Sequence, residues 1–226
     1  MSSNKNAPPF FVLFEDKHLI AVHKPAGWLA QGDSSGAPAL TGAIRDYLKP
    51  SHKGKIEDLF VGLVHRLDRN VEGVMVFAKT RQAASDLSDQ IRRRSLKKFY
   101  RCLVEGIPEE EEARLTHFIR KGKSLKATVF PRATPDAKRA VLHYRVIKKQ
   151  KQFSLLEVEL QTGRFHQIRA QLSFIGHPIV GDLKYRAKTR LGDYKIALCA
   201  SKVILTHPNN NKELVIEAPT SEWEPH

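Results

Sequence analysis

The feature that most constrains the fold is the order of apolar runs, because strand-like runs outnumber helical ones and do not alternate with them. Strand character is found at residues 10–14, 19–23, 59–64, 73–78, 99–105, 127–131, 139–147, 153–160, 195–205 and 213–218. Helical spacing occurs between Leu40 and Leu48, and after Thr80 and Thr162, each a candidate cap. A doubly wound parallel sheet needs regular alternation. The pattern therefore predicts an α+β fold with a mixed, mostly antiparallel sheet.

The size of the chain and its apolar segments limit the class of protein. Its 226 residues, 41% of them hydrophobic, suit one large domain or two small ones. We expect a flexible tail at residues 1–9 and a single domain at 10–226. The run at 10–14 is too short for a signal peptide, and no run approaches the ~20 apolar residues of a membrane span. Cys102 and Cys199 lack metal or redox spacing, which predicts buried thiols in a cytoplasmic protein.

Positive charge is in clear excess. There are 38 lysines and arginines against 24 acidic residues, which gives a formal net charge of +14. Solubility requires a magnitude of only about 2–8, so the excess predicts an anionic partner such as nucleic acid. One basic cluster is Arg92-Arg93-Arg94. A second cluster alternates, and in an extended loop its side chains would point the same way: Lys184, Arg186, Lys188 and Arg190.

Two polar clusters are candidates for a catalytic site. His65-Arg66-Leu67-Asp68 lies between two apolar runs, so its polar side chains are expected on a short connection between strands. About a hundred residues later comes the sequence 162–169, Thr-Gly-Arg-Phe-His-Gln-Ile-Arg, which opens a helical pattern. We interpret the two clusters as halves of one site.

Four motifs in order resemble the RluA-type pseudouridine synthases, which isomerise uridine in ribosomal and transfer RNA. They are Val22–Gly27, His65–Asp68, Lys98–Tyr100 and Thr162–Arg169 with its trailing Gly176–Asp182, within a span of roughly residues 19 to 219. The resemblance implies a pseudouridine synthase-like α+β fold, with a central sheet in two halves, flanking helices and a catalytic cleft. It also implies a catalytic domain without a separate N-terminal RNA-binding module.

The resemblance assigns catalytic roles to three residues. Asp68 matches the family aspartate that attacks the ribose or removes a proton from it, as the base is detached from nitrogen-1 and rejoined through carbon-5. Arg169 matches the arginine that pairs with this carboxylate. Tyr100 matches the tyrosine that stacks on the base, although strand alternation equally predicts a core tyrosine. No cofactor and no metal are expected.

The remaining candidate residues are assigned to substrate binding. Arg66 matches the arginine that fills the gap left by an extruded nucleotide, and extrusion is expected because the sugar carbon is unreachable in a stacked helix. The other residues assigned to RNA binding are His65, Arg164, Arg92, Arg93 and Arg94. The expected partner is ribosomal or transfer RNA, with no DNA and no membrane, and the protein is expected to be a monomer.

Two departures from the family pattern and two rival functions remain. Glu72 precedes Gly73 where the family often has serine, and His23 stands where asparagine is usual.

The first rival is a non-catalytic RNA-binding or ribosome-assembly factor on the same fold. The second is a metal-dependent phosphodiesterase that uses His65, Asp68 and His166, although both histidines also suit structural hydrogen bonds.

Overall fold

The computed structural model describes residues 9–34, 36–193 and 195–225, so the predicted tail lies outside the described residues except for Pro9. The elements in chain order are β1 (Phe11–Glu15), β2 (Leu19–Lys24), α1 (Leu40–Leu48), β3 (Gly62–Leu63), β4 (Glu72–Ala78), α2 (Arg81–Arg93), β5 (Lys97–Glu105), β6 (Glu112–Lys121), β7 (Ala127–Phe130), β8 (Lys138–Gln150), β9 (Phe153–Leu160), α3 (Gln167–Phe174), β10 (Leu198–Thr206) and β11 (Glu213–Glu217). Short 3-10 turns occur at Lys49–Ser51, Ile56–Asp58 and Leu183–Tyr185. No helix among the described residues is both long enough and apolar enough to cross a membrane.

The chain folds into two compact units, each assembled from two segments. The first unit contains Met1–Leu96 and Ile204–Ala218, and the second contains Lys97–Val203 and Pro219–His226. The chain therefore enters the second unit at the start of β5 and changes unit again within β10. Asp68 belongs to the first unit, whereas Tyr100 and Arg169 belong to the second.

The first unit is built on antiparallel pairing around β4. Strand β2 pairs with β1 on one side and with β4 on the other, and β3 pairs with the end of β4. The residues from Val74 to Ala78 are fully buried, as expected of a continuous apolar run in a central strand. Helix α2 packs Ala83 and Leu87 inward, and the Thr80 hydroxyl caps it by accepting from the Ala83 N–H at 3.2 Å.

The second unit is an antiparallel sheet with the order β5-β9-β8-β6-β7. Its core lies on the face that carries Cys102 and Val104 of β5 and Leu156 and Val158 of β9, all fully buried. Cys102 and Cys199 are both buried, as predicted. The predicted α+β fold with a mostly antiparallel sheet is confirmed.

Strand β6 is missing from the strand-like runs predicted from the sequence. It begins at Glu112. Only Ile119 of this strand is fully buried, because charged and polar residues alternate along it and its face is largely exposed. The segment therefore has no apolar run for a sequence pattern to detect.

Two local predictions are wrong. Helix α3 begins at Gln167 with His166 as its left-handed N-cap, not with Thr162. The Thr162 hydroxyl instead accepts from the Val141 N–H at 2.8 Å and donates to Gln167 Oε1 at 2.7 Å, so it ties the loop to β8. The 184–190 segment is not extended, because it contains a 3-10 turn followed by left-handed Arg186. Its four basic residues are nevertheless all exposed.

Candidate active site

Asp68 lies on a short turn that leads into β4. Its carbonyl accepts from the Val71 N–H at 3.1 Å, and the side chain of the preceding residue, Leu67, is buried. Arg69 fastens the turn to Gly27: the Gly27 N–H donates to the Arg69 carbonyl at 2.8 Å, and Arg69 Nε donates to the Gly27 carbonyl at 2.9 Å. The two sequence motifs around Gly27 and Asp68 are therefore one structural feature, and the half-buried Asp68 carboxylate is carried on a rigid connection.

Lys24 is the functional-site residue that sequence reasoning missed. It is fully buried, and its Nζ donates to the carbonyls of Pro25, Trp28 and Arg69 at 3.0, 2.9 and 3.3 Å. Burial lowers the pKa of Lys24 to about 7, while the negative charges of Asp68 and Glu72 act in the opposite direction. The Asp68 carboxylate therefore has a buried cation as an electrostatic neighbour within its own unit.

A sequence signal for this lysine does exist. Alternation along β2 places Lys24 on the same face as Ile20 and Val22, which are both fully buried. A lysine in that register is unusual, because a buried ammonium must find several acceptors. The turn that begins at Pro25 supplies two of the three carbonyls.

The two departures from the family pattern lie close together. Strand register places His23 opposite Val74, so His23 and Glu72 are diagonal neighbours on one face of the β2–β4 pair. Burial lowers the pKa of His23, and Lys24 acts in the same direction, while Glu72 opposes both. The negative charge of Glu72 therefore acts on the His23 imidazole beside the Asp68 turn.

His65 has a structural role. Its Nε2 accepts a hydrogen bond from the Val76 N–H of β4 at 2.9 Å. A neutral imidazole that accepts at Nε2 carries its proton on Nδ1, so neither nitrogen offers a lone pair to a metal. Among the described residues there is no cluster of three or more histidine, cysteine or acidic side chains able to hold a metal ion.

Arg169 is buried in the second unit against Asp182. Its Nε lies 2.7 Å from Asp182 Oδ2 and its Nη2 lies 2.9 Å from Asp182 Oδ1, which is a bidentate ion pair. The guanidinium also lies over the Tyr185 ring, 5.2 Å from its centroid. Asp182 is a partner that the sequence did not reveal. Because Asp68 belongs to the other unit, its predicted pairing with Arg169 stays a prediction.

Tyr185 links this pair to the start of α3. Its hydroxyl accepts from the Ala127 N–H at 2.7 Å and lies 3.0 Å from His166 Nδ1. The His166 ring stacks on Phe165 with centroids 3.8 Å apart. The motif residues near Arg169 are therefore fixed by packing and hydrogen bonds within one unit.

Tyr100 is a buried residue of β5, 6% exposed, on the same face as Cys102 and Val104. Its neighbour across the strand pair is Val158. This placement favours the core role that strand alternation predicted. The stacking of Tyr100 on a substrate base stays a prediction.

The residues assigned to RNA binding are accessible to different degrees. Arg66 is exposed on the Asp68 turn, and Arg92, Arg93 and Arg94 form the exposed end of α2, where Arg92 pairs with Asp89 at 2.7 Å. Arg164 is half-buried, and its Nε donates to the Arg139 carbonyl at 2.9 Å. Their contacts with RNA stay predictions.

Comparison with known proteins identifies the family. The model of the RNA pseudouridylate synthase family matches residues 18–174, a span that includes Asp68, Tyr100 and Arg169. The chain belongs to this family. The human protein titled RNA Pseudouridylate Synthase Domain Containing 4 is similar in structure, with a TM-score of 0.77, 25% identity, and coverage of 94% of this chain and 89% of that one.

Curated relatives agree with the family assignment. The chain is 34% identical to an uncharacterized RNA pseudouridine synthase of Bacillus subtilis, YhcT, over 92% of its own length and 68% of the relative. It is 35% identical to the ribosomal large subunit pseudouridine synthase D of Nitrosomonas europaea, over 96% of its own length and 64% of that protein. The chain thus spans about two thirds of the length of these relatives.

Proposed function

We propose that this pseudouridine synthase family member isomerises specific uridines in structured RNA to pseudouridine, with Asp68 as the catalytic nucleophile or base. The observation that carries the proposal is the Asp68 turn, which holds a half-buried carboxylate on a rigid connection beside the buried ammonium of Lys24. A non-catalytic RNA-binding role would not require a carboxylate held in this way.

The reaction is an isomerisation that needs no net oxidant or reductant. The bond between ribose carbon-1′ and uracil nitrogen-1 breaks, the base turns, and carbon-1′ bonds to carbon-5. Carbon-5 loses its proton and nitrogen-1 regains one, so atoms balance. Asp68 either attacks the sugar or takes a proton from it, and both routes require the ionised carboxylate. The positive charge of Lys24 in the same unit favours that form.

The substrate class is large-subunit ribosomal RNA. The curated relatives include ribosomal large subunit pseudouridine synthases C and D, and the net charge of +14 fits a polyanionic substrate. Transfer RNA is the alternative that the family resemblance also allows. We assign the exposed Arg92–Arg94 cluster to phosphate contacts, and exposed Arg66 to the gap left by the extruded nucleotide.

The test is the Asp68→Asn variant on an unmodified large-subunit ribosomal RNA transcript, with a transfer RNA transcript in parallel. We expect pseudouridine formation to fall by more than roughly a hundredfold, because removal of a catalytic group costs several kcal/mol of transition-state stabilisation. RNA affinity should stay within a few-fold. Chemical mapping of pseudouridine by reverse transcription provides the readout.

Asp58→Asn is the matched control, since Asp58 is an exposed carboxylate of the same unit and should leave activity unchanged. Activity of Asp68→Asn above about a hundredth of wild type would remove Asp68 from the catalytic set. Pseudouridine in transfer RNA alone would overturn the ribosomal assignment. RNA binding without pseudouridine in either transcript would favour the non-catalytic rival.

A further inference from the structure

Lys98 is a partly buried cation, and no residue in the described part of the chain pairs with its ammonium. It lies near the start of β5, on the face that carries Tyr100 and Cys102. Within the described residues its Nζ has no hydrogen-bond or ion-pair partner, and burial alone lowers the pKa of Lys98. The carboxylates of the neighbouring strand β9 do not pair with Lys98. Glu157 and Glu159 lie opposite β5 residues whose side chains are on the other face of the sheet from Lys98.

Gly163 lies against this ammonium. A Cβ added at Gly163 would come 3.6 Å from Lys98 Nζ, so the ammonium lies close to the Gly163 backbone. Gly163 is exposed, and its backbone N–H has no acceptor among the residues that the structure describes. The Lys98 ammonium therefore lies beside an exposed loop residue whose own N–H has no acceptor among the described residues.

The guanidinium of the neighbouring arginine, Arg164, is held at one nitrogen among the described residues. Arg164 Nε donates to the Arg139 carbonyl at 2.9 Å, and its backbone N–H donates to Gln167 Oε1 at 3.0 Å. Its two terminal nitrogens have no partner within the described segments. The loop at 163–164 thus carries further donors beside Lys98.

We propose that Lys98 and Gly163 form a binding site for one phosphate of the substrate RNA. An ammonium next to an unused backbone N–H is a chemical match for a phosphate oxygen, which accepts charge-assisted hydrogen bonds from both. This inference rests on the proposed function for the identity of the ligand, but not for the existence of the anion site.

The first test measures affinity for the large-subunit ribosomal RNA transcript as salt is varied. Lys98→Met should weaken binding roughly tenfold, because a hydrogen bond to a charged group is lost. It should also flatten the slope of log affinity against log salt by about 0.7–0.9, the loss of one phosphate contact. Lys97→Met is the matched control, because Lys97 is exposed and lies on the opposite face of the same strand.

A second variant tests the site without altering the lysine. Gly163→Asp places a carboxylate beside Lys98 Nζ and should weaken RNA binding at least as much as Lys98→Met. Gly42→Asp adds the same charge at another exposed glycine with open space around it, and should have little effect. Equal salt slopes for wild type and Lys98→Met, or equal affinities of the two aspartate variants, would overturn the proposal.

Inorganic phosphate is the probe that does not depend on RNA. In wild type, the backbone amide resonance of Gly163 should shift saturably as phosphate is added, and Lys98→Met should abolish this shift while Lys97→Met keeps it. A Gly163 resonance that does not move in wild type overturns the site. Absence of pseudouridine formation with these shifts intact would instead count against the proposed function.

Discussion

Among the described residues, each unit has a buried basic side chain, Lys24 in the first and Arg169 in the second, and the two charges are compensated differently. In the first unit, the Lys24 ammonium donates to three neutral carbonyl oxygens, and the carboxylates Asp68 and Glu72 act on it only as neighbouring charges. In the second unit, the Arg169 guanidinium donates two hydrogen bonds to the carboxylate of Asp182. One cation is held by the backbone and the other by an opposite charge.

The difference has consequences for pH and for geometry. A lysine can lose its proton when burial is costly, and the pKa of Lys24 is lowered to about 7. An arginine stays charged, so its cost of burial must be offset by a counter-charge. Carbonyls fix the position of the lysine near a turn, whereas the planar bidentate pair fixes the orientation of the guanidinium. The cation beside the Asp68 turn can therefore lose its proton, whereas Arg169 keeps its charge.

The largest effect is expected from breaking the ion pair. Asp182→Asn removes the charge opposite the buried Arg169, and the free energy of unfolding should fall by about 3–5 kcal/mol. Denaturant unfolding measures it. Glu222→Gln in the same unit is the control: its side chain is 94% exposed and lies 3.6 Å from Lys195, so the loss should stay below about 0.5 kcal/mol. Similar losses for both variants would mean that Asp182 does not compensate the buried cation.

A smaller loss in the free energy of unfolding is expected when Lys24, the cation bound by carbonyls, is replaced. Lys24→Met keeps the length of the side chain but leaves three half-buried carbonyl acceptors without their donor, which should cost about 1–3 kcal/mol. Lys17→Met removes the same charge from an exposed position and should be nearly neutral. If Lys24→Met were more destabilising than Asp182→Asn, the ranking of the two supports would be reversed.

The pH dependence of stability separates the two cations further. In the unfolded chain Lys24 titrates at ~10.4, whereas in the folded protein its pKa is about 7. Between these values the unfolded state binds more protons, so its contribution makes the free energy of unfolding rise with pH. The gain of wild type relative to Lys24→Met should therefore grow from pH 7 to about pH 9.5, below the range of tyrosine titration. A constant difference would show that Lys24 stays charged throughout.

The smallest loss of stability is expected when the hydroxyl of Tyr185, whose ring lies under Arg169, is removed. Tyr185→Phe keeps the ring under Arg169 but leaves the buried Ala127 N–H without its acceptor, and should cost about 1 kcal/mol. Tyr47→Phe is the control, because its exposed hydroxyl bonds only to Glu15 at 3.1 Å among the contacts described for it. Thermal melting of the two variants compares them directly, and equal melting temperatures would contradict a structural role for the Tyr185 hydroxyl.

Sequence patterns predicted most of the strands and the fold class, and the family resemblance predicted the candidate aspartate. Residues 153–160 form a strand with the predicted limits, and the Thr80 cap was found, because alternation and capping are local properties of a few neighbouring residues. Four ordered motifs predicted the family, which the comparisons confirm. Strand β6 was missed because its exposure suppresses the apolar pattern.

Tertiary structure alone decided the partners of the buried charges. Asp182 lies thirteen residues beyond Arg169, and its carboxylate reaches the guanidinium only because the loop after α3 folds back. Thr162 matched the pattern of a helix cap, yet its hydroxyl bonds to Val141 of a neighbouring strand. Local patterns follow from backbone geometry over a few residues, whereas desolvated charges and hydroxyls bond to whichever groups distant segments bring to them.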